Sequence, residues 1–388
     1  MIPVKRDKVL ITPKDIKPSS PKFEILGTFN PGATRLPNGD IILYVRVMEK
    51  LKKTKDKNYF YSPRMIGENS FKLKIDKFPK KEIERSSELD FVFKDGTKRL
   101  TFISHFRKVI LDKTGFRVKY IDEKPSFYGV KWDGELGVED PRIIKLNDLY
   151  IMTYVTLSLE NNISSSYSIS NDCINWYRRG IIFGQQDKDV VMFPEMINKS
   201  YVAFDRPEGN FQFSLPHIWV AYSDDLDSWG HLKSICLSKK QEWDYSRTGA
   251  GPPPIKTKYG WLFIYHGVAE YAHLAKNIPE NHKISMGLTD EDGKKYVYSV
   301  GAALLELQNP TKVLKKSVSP ILIPNQDYEE GTFEHKRVIF PTGLVEDLNK
   351  KDLLIFSGGG DTVVSVKQIS LQKIINSLKP FNCPVKDI

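Results

Sequence analysis

Short β-branched and aromatic runs alternate along the chain with clusters of Gly, Pro, Asn and Asp, and few stretches carry the apolar period of a helix. One pattern recurs. A turn is followed by an apolar run that ends in an aromatic-rich and then polar or charged tip. The copies are Asn38-Gly39-Asp40 before Ile41 to Arg46, Asn147-Asp148 before Leu149 to Val155, and Asn198-Lys199-Ser200 before Tyr201 to Arg206. Tyr259-Gly260 before Trp261 to Gly267 and Lys350-Lys351-Asp352 before Leu353 to Asp361 complete the set of five. Each reads as the second strand of a hairpin whose first strand precedes the turn, as with Ile143 to Leu146 and Pro253 to Thr257.

A second repeat supports the first. Ser170-Asn171-Asp172-Cys173-Ile174-Asn175-Trp176 matches Ser223-Asp224-Asp225-Leu226-Asp227-Ser228-Trp229, and Leu111 to Phe116 resembles a degenerate third copy. Each reads as a turn between outer strands, with the Trp packing back on the sheet. Together the repeats predict an all-β fold: one five-bladed β-propeller domain over residues 1–388, with loop and helical insertions near 50–100 and 269–298. Strands after turns occur in every β-rich protein, so the doubled Trp turn is the more telling repeat. In a propeller, polar residues at strand tips meet in a central funnel. Arg46, Asp205, Arg206, Tyr265, His266 and Asp361 all stand at such tips.

Composition narrows the function classes. With 388 residues and 40% apolar content the chain can bury a large core, and its net charge is +10. The basic residues are strewn among acidic ones, and no stretch interleaves basic and aromatic residues as a nucleic-acid motif would, so no nucleic-acid partner is expected. Cys173, Cys236 and Cys383 show neither zinc spacing nor a disulfide framework, and Met1 to Lys22 lacks an apolar leader core. No run reaches the roughly 18 apolar residues of a membrane span. These features predict a cytoplasmic protein without a membrane partner or a metal.

Several residues could carry chemistry. Asp140 precedes Pro141, which biases it toward an extended conformation, and Arg142 would share its face in an extended chain. Asp-Pro is also a common turn pair, and Arg142 could simply pair with Glu139. Lys188 in Asp187-Lys188-Asp189, before the apolar Val190 to Phe193, reads more readily as a solvated charged loop. Asp205-Arg206-Pro207 ends an apolar run, where a charge needs a partner. His266 ends another, where a hydrogen-bonded core histidine is the commoner case. Gly249 to Pro254 is a rigid turn without the Walker lysine, and no esterase, zinc-protease or dinucleotide fingerprint occurs.

The motifs have a familiar order: Asn30-Pro31-Gly32 with Tyr44-Val45-Arg46, Gly137 to Arg142, Phe193-Pro194-Glu195 with Asp205-Arg206-Pro207, Gly249 to Pro254 with Tyr265-His266-Gly267, and Gly360-Asp361-Thr362. This ordered set, from about residue 24 to 366, resembles glycoside hydrolase family 130, the β-mannoside phosphorylases and related β-mannosidases. The resemblance implies a five-bladed propeller and an inverting phosphorolysis that yields α-mannose 1-phosphate. It implies Asp140 as general acid, passing its proton through the mannose 3-hydroxyl to the glycosidic oxygen. Lys188, Arg206 and His266 would hold phosphate. Asn30, Arg46, Arg107, Asp205, Tyr265 and Asp361 would contact the sugar, with Tyr128 and Trp132 as candidate aromatic platforms. Inorganic phosphate is a co-substrate, and no cofactor is implied. Members often assemble through insertions, which leaves a homo-oligomer open.

A phosphorylase needs one acid and basic groups that aim an anionic nucleophile, whereas an inverting hydrolase needs a second carboxylate to activate water. Retention of Lys188, Arg206 and His266 favours phosphorolysis. The family's usual His-Arg-Pro is here Asp205-Arg206-Pro207. The added carboxylate keeps a hydrolase in play, with Asp205 or Glu195 as base. A non-catalytic glycan-binding propeller is the third reading.

Overall fold

The computed structural model describes residues 1–208, 213–239, 242–270, 296–331 and 335–382. It is an all-β structure. Three antiparallel sheets have four strands each. The first runs Phe23–Arg35, Ile41–Leu51, Phe102–Leu111, Val118–Ile121. The second runs Gly137–Leu146, Leu149–Ser158, Asn162–Ser170, Tyr177–Phe183. The third runs Asp187–Met192, Tyr201–Pro207, Trp219–Ser223, Gly230–Ser234. The remaining strands outside the 50–100 insertion form a ten-stranded sheet. Its two halves join where Tyr296–Leu305 runs parallel to His335–Glu346; all its other pairings are antiparallel. In one half Gly260–Glu270 and Tyr296–Leu305 are central. In the other, His335–Glu346, Asp352–Gly359 and Val363–Ser370 are followed by the chain's first strand, Val4–Ile11.

The five repeated runs are all second strands of antiparallel pairs, as their turns imply. Asp361 falls beyond its strand, in the turn to Val363–Ser370. The Trp turns match in detail. Asp172 Oδ1 accepts from the backbone N–H groups of Ile174 and Asn175, and Asp225 Oδ1 does the same for Asp227 and Ser228. Cys173 and Leu226 both take positive φ. Trp176 then packs edge-on against Tyr44, and Trp229 packs tilted against Phe183. Each turn joins the third strand of its sheet to the fourth, and so does Leu111 to Phe116.

The core sits between neighbouring sheets, not in one central mass. One large cluster packs the third sheet against Trp261, Phe263 and Tyr265 of the next. Another packs the first sheet against Leu354, Phe356, Val364 and Val366.

The insertion near 50–100 corrects the expectation of loops and helices. It is built of strands: Tyr59–Met65 pairs with Leu73–Pro79, and Ile83–Ser86, Asp90–Phe93 and Lys98–Leu100 form a three-stranded sheet. An aromatic cluster of Phe60, Phe78, Phe91 and Phe93 is its own small core. Most of the 269–298 insertion, and Cys383, lie outside the described residues. Cys173 is a free, buried thiol, whereas Cys236 is disulfide-bonded, which cysteine spacing did not suggest. Among the described residues no helix is long and apolar enough to cross a membrane.

Candidate active site

Three first strands carry the same device. The pairing register slips between Phe29 and Gly32, between Glu139 and Arg142, and between Lys188 and Val191. Each slip holds one residue in the left-handed region: Asn30 at φ 46°, Asp140 at φ 51° and Asp189 at φ 58°. Asn and Asp tolerate this region better than other side chains, and a bulge re-aims the residue it frees from the ladder. Pro31 and Pro141 follow the first two; having no N–H, they leave no donor unpaired at the slip.

The first two bulges meet. Asn30 Nδ2 donates to Asp140 Oδ1 at 2.8 Å, and Arg46 Nη1 donates to the same oxygen at 2.9 Å. Arg46 comes from the strand beside Asn30, lies 4.6 Å over the Phe29 ring and also holds Glu139 through Nη2. Burial pushes the Asp140 carboxyl up, but the Arg46 and Arg142 charges and the Asn30 and Arg46 hydrogen bonds outweigh it and hold it below the usual carboxylate value. Asn30, Arg46, Asp140 and Asp361 line one cleft of about 810 Å³, walled by Phe29, Tyr298 and Phe340 among others.

The third bulge organises a basic cluster beside that cleft. Asp189 accepts from Arg142 Nη2 at 2.8 Å, and its other oxygen lies 3.3 Å from Arg206 Nη2 and 3.6 Å from His266 Nε2. Arg142 also donates to the Asp140 backbone carbonyl at 2.9 Å, so it ties the two bulges together. Lys188 Nζ stands 4.0 Å from Glu139 Oε2. Gly249 makes the crowding tolerable, since a Cβ there would sit 2.3 Å from His266 Cε1 and 2.4 Å from Asp189 Oδ2.

The charge state of this cluster differs from three cations. Burial pushes the His266 imidazolium down to about 3, with Arg206, Arg142 and Arg247 adding to the effect against the pull of Asp189. His266 is therefore a neutral ring near neutral pH, packed 4.4 Å from Phe340. Neither His266 nitrogen nor Arg206 Nε has a hydrogen-bond partner among the described residues.

The remaining expected contacts lie elsewhere. Tyr265 is buried in the core, where its hydroxyl donates to Asp244 Oδ2 at 2.8 Å. Successive side chains of a strand face opposite ways, so His266 and Tyr265 cannot both face the site. Arg107 pairs across the ladder with Val45, on the opposite face from Arg46. Its guanidinium is buried against Glu49 at 3.4 Å and the Lys17 carbonyl at 3.2 Å. Asp205 likewise faces away from Arg206, hydrogen-bonded with Asp187. Burial raises the Asp205 carboxyl to about 6, and burial with the Asp205 charge raises Asp187 as well. Glu195 pairs with Lys256 at the surface. Tyr128 packs edge-on against Phe71 in the insertion, and Trp132 is 55% exposed.

Sequence reading passed over Asp189, Tyr298 and Phe340. Asp189 lacks the following proline that marks the other bulges. Tyr298 and Phe340 lie within or beside segments with no motif of their own.

A family profile described as β-1,4-mannooligosaccharide phosphorylase, of glycoside hydrolase family 130, matches residues 110–380. The β-1,2-mannobiose phosphorylase of Listeria innocua is 32% identical over 383 residues, 95% of this chain and 96% of that one. The chain belongs to glycoside hydrolase family 130. The structure of a Listeria innocua β-1,2-mannobiose phosphorylase in complex with β-1,2-mannobiose superposes on this family-130 chain with a TM-score of 0.78 at 31% identity, covering 95% of this chain and 96% of that one. A 1,2-β-oligomannan phosphorylase of Thermoanaerobacter is 34% identical over 242 residues, 61% of this family-130 chain and 70% of its own.

Proposed function

We infer that this protein is an inverting β-mannoside phosphorylase. The observation that carries the reading is the set of unsatisfied groups beside Asp140: Arg206 Nε and both His266 nitrogens, buried next to Arg142 and Asp189. Buried polar groups without partners cost free energy unless a ligand completes them. An oxyanion held by a guanidinium and a neutral imidazole N–H does so. The phosphorylase names of the relatives support the same reading.

In this reading Asn30, Arg46 and Asp361 hold the mannosyl unit and Lys188, Arg206 and His266 receive phosphate. A phosphate oxygen attacks the anomeric carbon as the glycosidic C–O bond breaks. The leaving oxygen takes a proton that originates on Asp140 and passes through the mannose 3-hydroxyl. The products are α-mannose 1-phosphate and the shortened acceptor. An acid must be protonated to act, and Asp140 is held in its charged form by its neighbours. A phosphate anion brought beside it raises its proton affinity, as like charges do. Proton uptake is thereby coupled to loading of the nucleophile.

The hydrolase reading loses its two named bases, because Glu195 is bound to Lys256 and Asp205 faces Asp187. The strands also support one five-bladed unit: the two halves of the ten-stranded sheet and the three four-stranded sheets make five arrays, the last closed by Val4–Ile11. The test is incubation with β-1,2-mannobiose with and without inorganic phosphate, followed by phosphorus NMR. Phosphate-dependent α-mannose 1-phosphate is expected, and mannose release indifferent to phosphate would overturn the assignment.

A further inference from the structure

One part of the cleft that Asn30, Arg46 and Asp140 line is not part of the repeated sheets. It comes from the insertion, through the turn Ser87, Glu88, Leu89 and Asp90. That turn is pinned. Leu89 packs on Phe29, Met48 and Phe102, so it rests on the same Phe29 that underlies Arg46. Thr101 donates to the Glu88 carbonyl through Oγ1 at 2.7 Å and to the Leu89 carbonyl through its backbone N–H at 2.9 Å. Ser87 Oγ donates to Asp90 Oδ1 at 2.5 Å. Behind it, Phe91 packs among Phe60, Phe78 and Phe93, so the turn sits on a packed base.

The cleft itself is built for a ligand. Asn30 is 4% exposed, lines it, and its Oδ1 has no hydrogen-bond partner among the described residues. A volume of about 810 Å³ lies near the upper end of the ~300–1,000 Å³ that ligand pockets span, which leaves room beyond one sugar ring. The two charged side chains on the insertion wall are both acidic. Lys50 and Lys98 approach them at 3.5 and 3.7 Å and offset them only in part, since Glu88 is 73% exposed.

We propose that the Ser87–Asp90 turn is the acceptor-sugar wall of this cleft and that its carboxylates select an uncharged sugar. The proposal rests on the phosphorylase reading and adds the residues that choose the acceptor. Carboxylates accept hydrogen bonds from sugar hydroxyls, whereas a phosphorylated or uronic acceptor sets like charge against them. Glu88 and Asp90 lie on the insertion, so acceptor choice is separated from the strands that hold the donor.

The experiment runs the reaction in the synthetic direction, with α-mannose 1-phosphate as donor and mannose, mannose 6-phosphate or glucuronic acid as acceptor. The wild-type protein should prefer mannose over either anion. Glu88→Lys, a change at an exposed position, should narrow that preference about fivefold in kcat/KM, the size of one charge contact in high dielectric. Asp90→Asn should narrow it in the same direction. The KM for α-mannose 1-phosphate should stay within about twofold, well short of one lost charged hydrogen bond. Unchanged acceptor preference in both variants, in an active wild-type background, overturns the proposal alone. A wild-type protein that uses no acceptor and performs no phosphorolysis overturns the functional reading beneath it.

Discussion

Asn30 Nδ2 donates to Asp140 Oδ1 at 2.8 Å, joining two residues that are 110 positions apart and share one backbone device. Both have positive φ, both precede proline, and both stand at a register slip in the first strand of a sheet. Gly358 leaves room for the Asn30 side chain, since a Cβ there would meet its Oδ1 at 2.1 Å. Two equivalent bulges on neighbouring sheets thus turn an amide and a carboxylate toward each other.

Asp140→Asn should abolish most turnover while sparing the fold. Asn accepts the left-handed backbone as readily as Asp and keeps an oxygen for Asn30 and Arg46. It carries no proton for the leaving group. We expect kcat to fall by about 10²–10⁴-fold, the usual share of general acid catalysis, with mannoside binding by calorimetry retained. Turnover near the wild-type level would remove Asp140 from its role.

Arg206→Ala should act on phosphate. The guanidinium is buried 3.3 Å from Asp189, and the carboxylate keeps Arg142 at 2.8 Å, so the protein should still fold. Loss of a charged hydrogen-bonding group predicts a phosphate KM raised about tenfold or more. Initial rates at varied phosphate measure it. An unchanged phosphate KM would place the anion elsewhere.

Asp205→Asn should stabilise the protein at neutral pH. Burial raises this carboxyl to about 6, so the folded protein holds a proton that the unfolded chain has already released. Folded stability therefore declines as pH climbs from about 4 to about 6, and that loss persists above. The amide removes the loss, and can donate to Asp187. A gain of about 3 kcal/mol at pH 7.5, fading to nothing near pH 4, is expected from denaturant titrations of both proteins. A pH-independent difference would contradict the burial argument.

Tyr265→Phe should separate core from site. Its hydroxyl bonds to buried Asp244, which keeps Lys316 at 3.2 Å. We expect a loss of about 1–2 kcal/mol in stability. The KM values for mannoside and phosphate should not move. A raised sugar KM at unchanged stability would return Tyr265 to the cleft.

The repeated turns, the Trp turns and the ordered polar motifs were all legible in the chain, because each is a local pattern of turn chemistry and alternation. They yielded the all-β fold, the second strands and the family. They also singled out Asn30, Arg46, Asp140 and Asp361, which the structure gathers in one cleft, and Arg206 and His266, which it sets beside Asp189. Local pattern failed at Tyr265, Arg107 and Asp205. Tyr265 and Asp205 each stand one position from a residue of the site, and Arg107 pairs across the ladder with Val45, one position from Arg46; neighbours on a strand point oppositely, so motif membership could not tell them apart.

Asp189 was hidden for a different reason. Asp189 matters because Arg142, Arg206 and His266 converge on it from other strands, and only packing of the second and third sheets and the ten-stranded sheet brings them within reach. The protonation states follow the same rule. His266 is neutral and Asp140 charged because of who surrounds them and how much water is excluded, neither of which is a property of the residue itself. The sequence by itself determined which residues can do this chemistry and which strands carry them. The tertiary structure decided which face each one presents, which charges it meets, and which turn of the insertion lines the cleft, since strand direction and desolvation are settled only when the sheets pack.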